Sequence, residues 1–246
     1  MFNFNNYEIM HEPKEIDPDC EYIYVTDNEA LKSDNWKIII DHSLDKLSIF
    51  DKCYAVKFNL FKYATTDVCI YLDASVQINK SLKKLYDDFI SSDADLGLNI
   101  HPDVDNVYDE YIRWIYIRNY PKQIAEKRLT VMSLLNYNIK YKGLYQTTCR
   151  ICKNTELNKE IDTTVLNTLK MMGENGIIER QNQNVYSFVL NRLFSNIKVF
   201  SFSQQVLQSE YMTWMWHNSN NAKPYNKNND KKEGYLFNKL TNLYYI

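Results

Sequence analysis

The chain has 246 residues, of which 45% are hydrophobic and 24% charged, and these proportions are those of a globular protein that can bury a core. A formal net charge of −2 provides no overall basic field, so we expect no nucleic acid partner. No apolar run is long enough for a transmembrane segment, and five cysteines do not suit a disulfide framework. We therefore expect a cytoplasmic protein, or one that is peripheral to the membrane.

The first half of the chain predicts strands followed by helices. Residues 1–19 are polar and contain two prolines, which indicates an extended lead-in. Cys20–Asp27 and Trp36–Ile40 are rich in aromatic and β-branched residues and predict strands. Leu44–Tyr63 carries apolar residues near helical spacing. Val68–Ile78 begins with a continuous apolar run, which is typical of a strand buried on both faces.

The second half continues the alternation of helices and strands. The predicted helices are Ser81–Ser91, Val107–Tyr120 (ended by Pro121), Lys122–Asn136, Thr163–Met172 (closed by Gly173) and Val185–Phe194. The predicted strands are Asp95–Ile100, Lys142–Ile151 and Val199–Phe202. Asn218–Gly234 is a polar loop, and Leu236–Ile246 is apolar. The pattern predicts a single α/β domain over residues 1–246, with a mainly parallel sheet flanked by helices.

Asp73 is the first candidate for chemistry because it lies where the Val68–Ile78 strand leaves the sheet. In open α/β sheets, ligands bind at the carboxyl edge of the strands. A carboxylate there, followed two residues later by the hydroxyl of Ser75, can hold a divalent metal that bridges a diphosphate. The alternative is that Asp73 only caps the following turn, which is an ordinary role for aspartate.

Two segments together resemble retaining nucleotide-sugar transferases. CIYLDASVQI around Asp73 is similar to the strand ending YLDxD of glycosyltransferase family 8, the glycogenin and lipopolysaccharide galactosyltransferase family. The distant HNSNNAKPY, residues His217–Tyr225, is similar to that family's HxxGxxKPW. The resemblance implies a GT-A (Rossmann-like) nucleotide-diphospho-sugar transferase fold.

A closer overall similarity is to the glycosyltransferase-like domain shared by bacterial polysaccharide loci and plant mucilage-biosynthesis proteins. Its FTD…SDxW segment resembles YVTDNEALKSDNW, residues Tyr24–Trp36, and its strand end WIDGSIQI accepts a serine at the position of Ser75. An HP…YDE segment corresponds to His101-Pro102 and Tyr108–Glu110. The similarity extends from about Asn6 to Tyr225.

The resemblance implies transfer of a sugar from a nucleotide-diphosphate donor, a UDP-sugar, to a glycan or lipid-linked acceptor with retention of configuration. Mn²⁺ or Mg²⁺ would be held by Asp73, Ser75 and His217. Gln183 and Asn182 would lie near the anomeric carbon as the catalytic residues. The implied nucleotide-sugar-binding residues are Tyr24, Thr26, Asp27, Lys57, Asp73, Ala74, Ser75, Gln146 and Lys223.

Several positions depart from the family patterns. Family 8 has aspartate where Ser75 stands and at the position of Asn182, and Asn220 replaces the glycine of HxxG. The families also open with a strand before the YVTD-like segment, so we expect either that the first strand is absent or that the chain is a truncated form. A second hypothesis is therefore a catalytically silent relative that binds a nucleotide sugar or a partner. A third is an unrelated α/β binding module, in which Asp73 and His217 lie far apart.

Asp109 and Glu110 are adjacent acidic residues on a predicted helix. They are potential acid/base groups, but two neighbouring charges on a helix more often form a solvated face. The sequence favours the solvated face.

Overall fold

The computed structural model describes residues 1–117, 122–134, 142–174 and 182–215. The strands are β1 (Phe2–Asn3), β2 (Ile23–Thr26), β3 (Lys37–Ile40), β4 (Val68–Leu72), β5 (Val76–Ile78), β6 (Leu96–Ile100), β7 (Tyr145–Lys153), β8 (Val199–Ser203) and β9 (Met212–Trp214). The helices are α1 (Ile49–Lys57), α2 (Lys83–Ser91), α3 (Val107–Ile117), α4 (Lys122–Leu134), α5 (Glu156–Glu174), α6 (Asn182–Leu193) and α7 (Gln204–Glu210). None of these helices has the length and apolar character needed to cross a bilayer.

The described strands form three sheets, one parallel, one mixed and one antiparallel. One sheet has the order β1-β2-β3 and is parallel, and the next has the order β4-β7-β6-β8. In that sheet β7 is antiparallel to both β4 and β6, whereas β8 is parallel to β6. The third sheet is the antiparallel pair β5-β9. The α/β class is confirmed, but the prediction of a mainly parallel sheet is wrong, because an apolar strand buried on both faces has the same sequence pattern in either direction.

The amino terminus forms a strand where the sequence predicts an extended lead-in. Phe2 and Asn3 pair in parallel with Val25 and Thr26 of β2. The Phe2 ring stacks on Tyr71 of β4 with 5.8 Å between ring centroids, so β1 lies beside β4. The chain turns after the strand at Asn5, whose φ of 56° lies in the left-handed region that asparagine tolerates better than most residues.

The core lies on both faces of the four-stranded sheet. Consecutive residues of β4 alternate between two buried clusters: Tyr71 belongs to the larger one, with Phe58 and Leu98, and Leu72 to the smaller one, with Phe89. This alternation is what a strand with period-two side chains produces when apolar layers cover both sides. It also explains why the beginning of the Val68–Ile78 segment has almost no polar position.

The predicted strand Val68–Ile78 is divided at Asp73. The amide of Asp73 donates to the carbonyl of Thr148, and the amide of Val76 then donates to the carbonyl of Asp73, which closes a tight turn. After this turn β5 joins β9 and leaves the sheet that contains β4. Sequence periodicity does not detect such a change because both halves are apolar and β-forming.

Two predicted helices also have different bounds. The predicted helix Leu44–Tyr63 contains α1 and short helical turns on either side, and Ser48 caps α1 by accepting from the amide of Asp51. The predicted helix Thr163–Met172 corresponds to α5, which begins at Glu156 and continues past Gly173. Helix α7 and strand β9 were not predicted from the sequence. The interruption at Pro121 and the segments 218–234 and 236–246 lie outside the described residues.

Gly97 provides a test of the packing in the central sheet. A Cβ at this β6 position would lie 2.9 Å from Cβ of Ile151 on β7, closer than carbon atoms pack. We expect Gly97→Ala to lower the free energy of unfolding by about 1–3 kcal/mol, the usual cost of overpacking a core. Gly173→Ala is the matched control: no atom of the described residues lies within 4 Å of its added Cβ, so stability should stay level or rise by up to about 1 kcal/mol. Urea unfolding followed by circular dichroism measures both, and equal stability of the two variants would contradict the close approach.

Candidate functional site

Helix α1 connects the ends of β2 and β4 through two buried lysines. Lys52 donates to Asp27, which follows β2, with Nζ 3.0 Å from Oδ2. Lys57 donates to Asp73, which follows β4, with Nζ 3.0 Å from Oδ1. Because both lysines belong to α1, this one helix contacts the carboxyl ends of β2 and β4. This edge, with the adjoining ends of β6, β7 and α6, is the candidate site.

Asp73 is more accessible than Asp27 and than the two lysines, with 28% of its side chain exposed. The Tyr71 hydroxyl and the Lys57 ammonium both donate to Oδ1. The same ammonium lies 5.1 Å from the centroid of the Tyr71 ring. In the described part of the chain, Oδ2 receives no hydrogen bond, so one carboxylate oxygen remains available to a ligand.

Burial controls the protonation of the partners of Asp73. It lowers the pKa of Lys57, and the nearby Asp73 carboxylate opposes that shift. It raises the pKa of Tyr71 well above the usual value, and the negative charge of Asp73 adds to the effect. Tyr71 therefore stays protonated, and its hydroxyl donates a hydrogen bond to Asp73. The result is a carboxylate whose one oxygen is held in a fixed direction by two donors.

The described residues only partly fit a divalent metal. Hard divalent cations take several oxygen ligands, and Oδ2 of Asp73 could supply one. Ser75 is buried, and its carbonyl accepts from the amide of Met215. No group of three His, Cys, Asp or Glu side chains able to hold a metal occurs within the described ranges. His217 and Lys223 lie outside those ranges, so the metal and phosphate roles given to them stay predictions.

The predicted base and ribose residues on β2 differ in accessibility. Tyr24 is fully buried and packs edge-on against Trp36 with 5.6 Å between ring centroids. Thr26 is buried, and its hydroxyl accepts from the amide of Asn28. Asp27 accepts from Lys52 and from the amide of Asn5. Burial opposes ionisation of Asp27, but these donors outweigh it and lower the pKa. Asp27 therefore stays ionised at the end of β2.

Strand β7 brings the remaining predicted residues to the same edge. Its segment 146–148 runs between Asp73 and Asn99 of β6, which are about 10 Å apart at two strand spacings. Gln146 accepts from the Asn99 amide at 2.8 Å. The Thr147 hydroxyl donates to Oδ1 of Asn182, the first residue of α6. Ala74 is buried in the turn after Asp73. Gln146, Asn182 and Asp73 are thus brought together, and their roles in ligand binding stay predictions.

Glu110 lies at the candidate site, although the sequence favoured a solvated face over an acid/base role for it. The prediction of a solvated face is wrong for it, since the side chain is 1% exposed. Gln183 donates to its Oε1 at 2.9 Å and Trp114 at 2.8 Å. Asp109 instead accepts from Asn106 at the beginning of α3. The sequence carried no signal for this burial, because His101 and Gln183 come from other elements of the fold.

A cavity of about 580 Å³ lies elsewhere in the structure. Its lining includes Met1 before β1, Ile23 at the beginning of β2, and Asp67 and Ile70 before and within β4. It contains none of the predicted site residues. The site at Asp73 is therefore defined by its chemistry and by the strand ends, not by this cavity.

No protein-family model and no curated protein sequence matches this chain. Among solved structures, the chain is similar to mouse xyloside xylosyltransferase 1 in its apo form. The sequence identity is 10%, the TM-score is 0.42, and the alignment covers 73% of this chain and 70% of that one. A likeness at this level is too low to assign a fold family or an activity, which rest instead on the residues themselves.

Proposed function

We propose that this protein is a GT-A type glycosyltransferase that moves a sugar from a nucleotide-diphosphate donor, a UDP-sugar, to a glycan or lipid-linked acceptor with retention of configuration. The observation that carries the proposal is the partly exposed Asp73 carboxylate at the end of β4, held by Lys57 and Tyr71. Asp27, Gln146, Asn182 and Gln183 lie on the adjoining strand and helix ends. These are the residues for which the sequence motifs imply donor binding.

Glycosyl transfer requires charged and amide side chains of this kind. Transfer breaks the bond between the anomeric carbon and the diphosphate, and its transition state has oxocarbenium character. Negative charge grows on the departing phosphate, so a nearby cation stabilises it where it develops. Among the described residues, the Lys57 ammonium, 3.0 Å from Asp73, provides a cation at the end of β4. The amide of Gln183 is suited to the face of the sugar where positive charge develops.

We also propose that Mn²⁺ or Mg²⁺ is required, bound by Oδ2 of Asp73 with Ser75 and His217, and that Lys223 contacts the diphosphate. When bound, such an ion neutralises charge on the leaving phosphates. The charge balance of the chain suits no nucleic acid partner, and we place the protein in the cytoplasm or at the membrane surface.

A second candidate is a catalytically silent relative that binds a nucleotide sugar or a partner. The observation that favours it is that Oδ1 of Asp73 is already satisfied by Lys57 and Tyr71. The described ranges also contain no three-residue metal site. Such a protein would bind the donor nucleotide without breaking the sugar bond.

Calorimetric titration with UDP, with and without Mn²⁺, tests the proposal and is followed by turnover assays on a panel of UDP-sugars. We expect UDP binding that strengthens when Mn²⁺ is present, and release of UDP from at least one sugar donor. Binding without release from any donor, with candidate acceptors present, would favour the silent relative. A folded protein that binds no UDP under either condition would contradict a UDP-sugar donor.

A further inference from the structure

Glu110 connects the end of β6, helix α3 and helix α6. Its Oε1 accepts from Gln183 on α6 and from Trp114 on α3. Its Oε2 lies 3.4 Å from Nε2 of His101, just after β6, and 3.6 Å from the Arg113 guanidinium. A carboxylate this deeply buried costs free energy unless donors surround it. Four side chains from three elements surround the carboxylate: Oε1 receives the two hydrogen bonds, and Oε2, which receives none from the described residues, has the longer ionic contacts with His101 and Arg113.

From this geometry we propose that Glu110 is the positioning residue for Gln183, holding its amide so that the carbonyl oxygen Oε1 is the atom presented to the sugar. The proposal rests on the proposed transferase function, because it assigns Gln183 a role at the anomeric carbon. It adds a residue to that site for which the motifs gave no role. Glu110 itself would touch neither donor nor acceptor.

The chemistry of the two side chains determines which way the amide points. An ionised carboxylate only accepts hydrogen bonds, so the amide must turn its NH₂ group towards Glu110. The 2.9 Å contact between Nε2 and Oε1 of Glu110 has this direction. In the described part of the chain Oε1 of Gln183 has no partner, and the half-buried side chain leaves it open to a ligand. The adjacent Asn182 is held by Thr147, so the first turn of α6 is fixed at two successive residues.

The neighbours keep Glu110 in its accepting form. Nδ1 of His101 accepts from the backbone amides of Asp103 and Val104, which leaves the proton on Nε2, facing Glu110. Arg113 is itself held by Asp103 at 2.8 Å. Burial acts to raise the pKa of Glu110, but His101, Arg113 and Trp114 outweigh it, and the pKa is lowered. The carboxylate therefore orients the Gln183 amide throughout the neutral range.

The test compares Glu110→Gln, Gln183→Ala and the double variant in turnover of a UDP-sugar. Glu110→Gln keeps the size of the side chain but can meet Gln183 with either a donor or an acceptor, so the amide loses its single orientation. We expect kcat to fall by about 100-fold, the scale of a small misplacement of a reacting group, while KM for the donor changes by less than about threefold. Because Glu110 acts through Gln183, kcat of the double variant should equal that of Gln183→Ala alone.

Glu156→Gln is the matched control. It makes the same chemical change at an exposed carboxylate at the beginning of α5, which pairs with Lys159 and not with Gln183, so its kcat should stay at the wild-type value. Thermal melts of all variants show whether the assays run on folded protein. If Glu110→Gln does not fold, Glu110→Asp replaces it, since this variant keeps the charge and shortens the side chain that holds Gln183.

The outcomes distinguish this proposal from the function on which it rests. A double variant with multiplied losses, or a Glu110→Gln enzyme with unchanged kcat, would overturn the positioning role while the transferase function stands. A folded wild-type protein without turnover of any UDP-sugar would overturn the function, and the positioning role with it.

Discussion

Replacing Arg150 with methionine should lower the free energy of unfolding by about 3–5 kcal/mol, which is the usual cost of removing one partner of a buried ion pair. Arg150 lies in the middle of β7 with no solvent exposure. Its guanidinium pairs with Asp162 of α5 at 2.5 Å and donates to the carbonyl of Lys57 at 3.0 Å. Without it, the Asp162 carboxylate is left buried and unpaired.

Aromatic rings complete the surroundings of Arg150. The guanidinium carbon lies 4.9 Å from the Phe58 ring centroid and 4.6 Å from that of Tyr186, and such contacts favour a cation. The Asp162 charge raises the pKa of Arg150 against the opposing effect of burial, so the side chain stays charged. Methionine keeps most of the packing volume but none of the charge. The expected loss therefore reports mainly on the unpaired carboxylate and the lost hydrogen bonds.

Guanidinium chloride unfolding followed by tryptophan fluorescence measures this loss. Two controls make it specific. The double variant Arg150→Met/Asp162→Leu removes both charges and should recover much of the stability, because no charge is then left unpaired. Lys83→Ala removes an exposed partner of Asp87 and should leave stability almost unchanged. A double variant as unstable as Arg150→Met would contradict the unpaired-charge explanation.

Asp73→Asn should lower turnover of a UDP-sugar by about 100-fold to 1,000-fold, the scale observed when one electrostatic group of an active site is removed. Asparagine has nearly the same shape and can still accept from Tyr71. It lacks the charge that pairs with Lys57 and the anionic oxygen proposed for the donor site. The effect should appear in kcat/KM, measured with the donor below saturation.

The same substitution leaves the Lys57 ammonium buried without its counterion, so some loss of stability is expected. Adding Lys57→Met removes the unpaired charge and should recover that stability without recovering turnover. Asp67→Asn is the matched control: it makes the same chemical change immediately before β4, at the opposite end of the strand, and should alter neither property. Asp73→Asn with wild-type kcat/KM would remove Asp73 from the proposed mechanism.

The local segments of this fold were largely predictable from the sequence. The apolar runs of β2, β3, β4 and β6 and the periodic stripe of α2 follow from side-chain patterns within a few residues. Strand direction was not predictable, because β7 follows α4 and returns antiparallel between β4 and β6. The pattern of a strand records which faces are buried, not the direction of its neighbours.

For the site, the sequence by itself determined that Asp73 ends a buried strand, since a carboxylate directly after an apolar run is visible in the chain. Only the tertiary structure decided its partners, because Lys57 is sixteen residues away and the Glu110–Gln183 contact spans 73 residues. The burial of Glu110 and Arg150 was likewise not visible in the sequence. A charged residue is predicted to be solvated as long as the donors or the counterion that other elements bring to it are unknown. Local patterns follow from one residue's own preferences, whereas the stability of a buried charge depends on which distant side chains the fold brings to it.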